Sequence, residues 1–227
     1  GWAAGLGLLA LLYAALLEGN LERRVLVALL AGAWSFRLAF YLLKDRVLAK
    51  EEDGRYQELR SNWGAQAQRN FFIFFQVQGV LDVVLSLPFL ILMQDDSPLV
   101  GHWAILGVLL WAISVCGESL ADSQLSRFRS DPGNKGRTCR VGLWRYSRHP
   151  NYFFEWLHWL SYPLMAVGLD YAWLTLLSPV LMLFFILKVT GIPPTEARAL
   201  RSRGEEYRRY QETTSAFFPW WPRKEEQ

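Results

Sequence analysis

The stretch CRVGLWRYSRHPNYFFEWLHWL, residues 139–160, sets Arg140, Arg145 and Arg148 before a His-Pro turn and then places Asn151, Glu155 and His158 in an apolar run. Pro150 suits the first turn of a helix, and spacings of four and three residues put the amide, carboxylate and imidazole on one stripe among Phe, Trp and Leu. Such groups can hold hydroxyls and amides or exchange protons. At bilayer depth an ionisable group is costly unless partnered, so the stripe reads as a cofactor or substrate wall, with a polar clip between helices as the plainer reading.

Upstream, residues 129–149 form a loop with tight-turn chemistry, Asp131-Pro-Gly-Asn134 and Lys135-Gly136. Arg129, Lys135, Arg137, Arg140, Arg145 and Arg148 alternate there with Trp144 and Tyr146. Guanidinium forks grip phosphate and flat rings stack on a base, a mixture that suits a dinucleotide better than nucleic acid. Contact with anionic lipid is the other use of a basic loop beside a membrane. Neither GxGxxG nor a P-loop is present, which excludes the soluble type of nucleotide fold.

Other polar residues interrupt apolar blocks at helical spacing. Arg37, Tyr41 and Asp45 share one face, as do Gln78 and Asp82, with Gln76 nearby, and Glu118 and Asp122, followed by Arg127 and Arg129. A snorkelling Arg37 paired with Asp45 and a Gln78–Asp82 interhelical bond are structural readings of the first two.

The elements that must position these groups are membrane helices. Of 227 residues, 52% are hydrophobic, and they fall into blocks rather than a globular mixture. Blocks 2–17, 25–43, 71–93, 99–116, 152–168 and 171–189 approach the roughly 20 residues that span hydrocarbon, giving six expected spans in an all-α polytopic bundle. The fourth is expected to run on past the lipid as a charged extension. The chain is read as one membrane domain, 1–227, with a substrate half, 1–98, and a cofactor half, 99–227. It opens on Gly1 without a methionine, which leaves room for a further span before it, and the first block lacks the flanks of a signal peptide.

Lys and Arg concentrate in alternate connections: six in 44–69, seven in 121–149 and eight from Lys188 onward, against none in 94–98 or 168–171 and only Arg23 and Arg24 in 18–24. The positive-inside rule therefore puts the basic loops in the cytoplasm. Cys116 and Cys139 make no paired framework, and three dispersed histidines make no metal centre, so no metal site is expected. The C-terminal part, GIPPTEARALRSRGEEYRRYQETTSAFFPWWP, reads as two amphipathic helices, capped by Thr195, interrupted at Gly204 and stopped by Pro219 and Pro222. Phe217, Phe218, Trp220 and Trp221 suit a headgroup-level aromatic belt, and Glu205 to Arg209 a solvated face.

The order of these parts, RLAFYLLKDR, EEDGRYQELR, Glu118 to Arg129, LWRYSRHPNYFFEW and the C-terminal segment, resembles the steroid 5-alpha-reductase family, in particular its bacterial branch. RHPNY alone also occurs in isoprenylcysteine and phospholipid methyltransferases. The resemblance implies an all-helical enzyme of about seven spans in a bacterial inner membrane that binds NADPH and reduces a carbon–carbon double bond of a lipid arriving from the bilayer. It places Asp122 and Arg129, a D-x6-R pair, and Asn151 and Glu155, an N-x3-E pair, along the cofactor. Arg37, Tyr41 and Asp45 lie beside the nucleotide in this reading. With them go Glu118, Arg137, Trp144, Arg145 and Arg148, His149 and Tyr152 of the turn, and Glu196 and Tyr207 of the C-terminal segment.

Trp34 stands where the family has a catalytic Tyr, and no Gln-Glu pair occurs in the first span, so the family's proton donor does not transfer. Enone reduction needs a donor for the developing oxyanion. Tyr56, beside Arg55 and among Glu51, Glu52 and Asp53, is the candidate, and Glu155 is counted with it as catalytic. A methyltransferase using S-adenosylmethionine and a non-enzymatic lipid-binding protein are the alternatives.

Overall fold

The computed structural model describes residues 2–43, 54–98 and 101–223. Among them every regular element is helical, so the chain is an all-α membrane bundle. Four stretches are long and apolar enough to cross a bilayer: Leu21–Leu42, Tyr56–Gln94, His102–Ser130 and Ala172–Arg203. The other two expected spans are shorter helices. Helix α1 (Trp2–Leu16) has 15 residues and ends where Arg24 Nη1 takes the carbonyls of Ala14 (3.0 Å) and Leu17 (2.5 Å). Block 152–168 stops at Met165, just past Pro163, which cannot donate to the helical ladder.

Contacts divide the chain into two compact units, residues 1–101 with 166–178, and residues 102–165 with 179–227. In that unit α1 lies along α2 (Leu21–Leu42), whose N-cap Asn20 accepts from the N–H groups of Glu22 and Arg23. Gly7 permits the approach: a Cβ there would sit 2.9 Å from that of Ser35. Helix α3 (Gly54–Trp63) precedes α4 (Ala67–Leu85), and the apolar block 71–93 divides at Ser86 into α4 and α5 (Leu87–Gln94), because Pro88 starts a new helix. Leu6, Ala10, Val27, Ala31, Trp34, Phe89 and Leu92 fill the core of this unit.

The second unit rests on α6 (His102–Ser130) and α7 (Pro150–Met165), its most extensive pairing. At 29 residues α6 is about 44 Å long against a hydrocarbon core of about 30 Å, so its charged end, with Arg127 and Arg129, extends beyond the lipid as expected. Two glycines bring α7 close. A Cβ at Gly107 would meet Met165 and the Ser161 carbonyl, and one at Gly117 would lie within 2.6 Å of the Phe154 ring. Helix α8 (Leu177–Phe184) passes through a π-helical turn, Phe185–Val189, into α9 (Ile192–Arg203) and α10 (Glu205–Thr213). Gly204 separates the last two with φ of 53°, the interruption read from sequence. Gly191, separated by Ile192 from the Pro193-Pro194 pair, occupies the N-cap expected of Thr195, and α10 ends six residues before Pro219 because Thr214 is already extended.

Candidate functional site

Three polar assemblies lie in the second unit. The first is a seam between α6 and α7. Asn151 Nδ2 donates to Asp122 Oδ1 at 3.2 Å, and its own Oδ1 accepts from Tyr152 N–H at 3.0 Å. Asp122 and, one turn earlier, Glu118 are 5% and 2% exposed, and Glu155 is half-buried one turn beyond Asn151. One member of each i,i+4 pair seen in the sequence, Asp122 and Asn151, thus meets the other across the helix interface. His158, the last member of the stripe, is wholly buried and bonds Tyr162 Oη through Nε2 at 2.9 Å.

The second assembly centres on the Glu196 carboxylate of α9. Oε1 accepts from Arg148 Nε at 2.6 Å, His149 Nε2 at 3.2 Å and Tyr207 Oη at 3.4 Å, while Oε2 accepts from Gln211 Nε2 at 2.7 Å. Arg148 Nη1 also donates to the carbonyls of Gln211 and Thr214, so the guanidinium is turned inward. Burial is the main force lowering the His149 pKa and outweighs the bond and charge of Glu196, which act to raise it. The imidazole is therefore neutral near pH 7 and its Nε2–H is the donor. Its ring stacks on Tyr152 at 5.3 Å and 7°, and Tyr152 Oη lies 3.3 Å from Thr195 Oγ1. Burial first, then the Glu196 charge, raise the Tyr207 pKa, which keeps the phenol a donor.

The third is a basic groove of about 400 Å³ lined by Phe128, Asn134, Arg137, Thr138, Arg140 and Arg209, with Val141 and Glu206. Glu206 accepts from Thr138 N–H at 2.9 Å and from its hydroxyl, and Arg140 Nη2 donates to the Glu206 carbonyl at 2.7 Å. Burial acts to raise the Glu206 carboxyl, but these bonds and the charges of Arg140 and Arg203 hold it below its ordinary value. Arg140 lies over the Tyr210 ring and Arg203 over Tyr207, at 5.2 and 5.0 Å. Burial raises the pKa of the Cys139 thiol, against the nearby positive charges of Arg129 and Arg203.

Of the residues singled out from sequence, Asp122 and Asn151 meet in the seam, with Glu118 and Glu155 on the same two helices. Arg148, His149, Glu196 and Tyr207 share one hydrogen-bonded network, to which the stacked ring attaches Tyr152. Arg137 lines the groove, whereas Arg129 and Arg145 are exposed. Trp144 is 7% exposed and donates Nε1–H to the Ala121 carbonyl at 2.9 Å, bracing the loop on α6. Arg37 and Tyr41 lie half-buried on α2 in the first unit, and Asp45 is outside the described residues. Tyr56, also of the first unit, packs its ring by Phe71 and Phe75 at 6.1 and 6.4 Å.

Thr138, Glu206, Arg209 and Gln211 are not singled out from the sequence as site residues, whereas Arg140 is read there only as one guanidinium of the basic loop. Glu206 was assigned to a solvated face. The available signal was Tyr207 and Tyr210 at i,i+3, both buried, which turn that face of α10 inward.

An uncharacterised protein of Schizosaccharomyces pombe, C594.04c, is 27% identical over 225 aligned residues, covering 87% of this chain and 64% of that protein. The chain therefore spans about two thirds of the length of this relative. No solved structure matches. A family model described as "Protein of unknown function (DUF1295)" matches residues 1–214, and by that match the chain belongs to this family.

Proposed function

We propose that the protein is a membrane-embedded, NADPH-dependent reductase of a carbon–carbon double bond in a lipid, of the steroid 5-alpha-reductase kind, with its basic loops in the cytoplasm of a bacterial inner membrane. The observation that carries this reading is the Asn151–Asp122 hydrogen bond, which joins one member of each patterned pair across the α6–α7 seam. The donor set fits the cofactor's chemistry. Arg137, Arg140 and Arg209 line a groove wide enough for phosphate. Asn151, Asp122, Glu118 and Glu155 offer the amide and carboxylates that hydroxyls and a carboxamide would meet.

When bound, NADPH supplies the hydride. The chain's own groups do the rest. Arg137, Arg140 and Arg209 would hold phosphate, and Asp122 fixes the Asn151 amide by accepting its N–H. Apolar side chains of α6 and α7 exclude water from the seam. Glu155 is proposed to orient the reacting end of the substrate, while Tyr56, read from sequence as the proton donor, belongs to the first unit.

The test is cofactor binding by purified protein, read from nicotinamide fluorescence. Wild type is expected to bind NADPH, and Asn151→Ala and Asp122→Ala each to weaken it by roughly tenfold, the worth of about one charge-assisted hydrogen bond. Saturable binding of S-adenosylmethionine with none of NADPH would replace the reductase with a methyltransferase, and binding of neither would leave a lipid-binding protein.

A further inference from the structure

The C-terminal segment that follows α10 is ordered and yet carries large aromatic side chains outward. Phe218, Trp220 and Trp221 are 56%, 72% and 71% exposed. Backbone bonds fix the segment: Arg148 N–H to the Ser215 carbonyl at 2.8 Å, Trp220 N–H to Tyr146 at 2.9 Å and Arg223 N–H to Thr213 at 2.8 Å. The Trp221 ring also meets Tyr146 edge-on at 5.3 Å. These indoles are held in place rather than fraying, so their exposure is a property of the fold.

Their level relative to the bilayer follows from the neighbouring Phe217 and Phe218. Both rings pack on Phe153 and Trp156, within the first two turns of the apolar helix α7, at 5.8 to 6.0 Å. The segment therefore packs on the N-terminal end of α7, the end reached through the basic loop, where exposed indoles suit the headgroup level. Between it and the end of α10 is a cleft of about 420 Å³ whose lining includes Glu212, Thr213, Ser215, Trp220, Trp221 and Arg223. Arg148 also reaches this cleft, but its charge is met by Glu196 at 2.6 Å. The remaining ionic groups of the lining are one carboxylate and one guanidinium, Glu212 and Arg223, beside two exposed indoles.

We propose that this cleft seats the headgroup of a zwitterionic glycerophospholipid. Arg223 and the hydroxyls of Thr213 and Ser215 take the phosphate, Glu212 and an indole face take the amine, and Phe218 and Trp220 lie against the upper acyl chain. The balance of charge separates this occupant from an anionic lipid, which would meet the Glu212 carboxylate. The assignment does not depend on the reaction proposed above.

The test uses the full chain in nanodiscs of equal phosphatidylethanolamine and phosphatidylglycerol, with bromine on the acyl chains of one lipid or the other. Subtracting the emission of the Trp220→Phe, Trp221→Phe double variant isolates these two indoles. Quenching by brominated phosphatidylethanolamine is expected to exceed that by brominated phosphatidylglycerol by about twofold, and Glu212→Gln or Arg223→Gln to abolish the difference. Both replacements are at exposed positions, and normal elution and unfolding midpoints check that they fold. Equal quenching by the two lipids, stronger quenching by phosphatidylglycerol, or quenching by neither would each overturn the proposal.

Discussion

Arg23 of the first unit and Arg148 of the second have side chains only 6% and 10% exposed, and each meets its charge in a different way. Arg23 relies chiefly on one short turn. Its Nε donates to the Ser97 carbonyl at 2.6 Å, and Nη2 to Ser97 Oγ at 2.9 Å and the Pro98 carbonyl at 3.3 Å, while the Asp95 carboxylate stands 3.6 Å away. Arg148 shares a carboxylate with a histidine, a tyrosine and a glutamine drawn from the loop, α9 and α10. The first arrangement is a clamp on a turn, built mainly from groups that do not titrate near neutral pH. The second is a junction built around one carboxylate and including a histidine, and it fixes the loop that leads into α7.

The sharpest way to break this contrast is to remove the shared acceptor. Glu196→Ala leaves the Arg148 charge buried with carbonyls alone and is expected to cost about 3–5 kcal/mol of stability. Glu196→Gln keeps an acceptor and should cost less. Unfolding in detergent, followed by circular dichroism against added denaturant, measures both. An unchanged midpoint for Glu196→Ala would mean that the junction contributes nothing to the fold.

Arg23→Ala is expected to do less harm, about 1–3 kcal/mol, because it removes the cation and leaves mainly backbone carbonyls and a partly exposed Asp95 without their donor. The same unfolding measurement checks it. A larger loss than that of Glu196→Ala would reverse the ranking of the two networks.

The contrast also marks what the sequence could convey. Apolar blocks and i,i+4 spacing disclosed the helices and which of Glu118, Asp122, Asn151 and Glu155 share faces, since both depend on local periodicity. The meeting of Asp122 with Asn151, 29 residues apart, is consistent with those faces but needs the α6–α7 packing that Gly107 and Gly117 permit. The Glu196 junction was less legible. Its partners come from positions 48, 47, 11 and 15 residues away, and nothing in a list of arginines distinguishes one turned inward, as Arg148 is, from one left exposed, as Arg145 is. Arg23 and Arg24 illustrate the converse. Counted as two basic charges against the topology rule, both are engaged with carbonyls at turns, where they act as caps.

The smallest expected effect separates the two networks by pH. Burial lowers the His149 pKa from its ordinary 6.5 despite Glu196 beside it, with Arg148, Tyr152, Tyr207 and Gln211 completing its surroundings. A histidine with a lowered folded pKa binds fewer protons folded than unfolded in the interval between the two values. Its contribution to stability is thus whole above pH 6.5 and is lost as pH falls through the folded value. Glu206, also lowered, acts in the same sense but only below its ordinary 4.5. As the medium is taken from pH 7.5 to 5.5, the slope of the unfolding midpoint should therefore run more steeply downward in wild type than in His149→Gln, which keeps a donor for Glu196 but cannot titrate. Arg23→Ala should leave that slope intact, since the hydrogen bonds of Arg23 go to backbone carbonyls and a serine hydroxyl. A slope that survives His149→Gln would place the titrating group outside the junction and remove the distinction drawn between the two arginines.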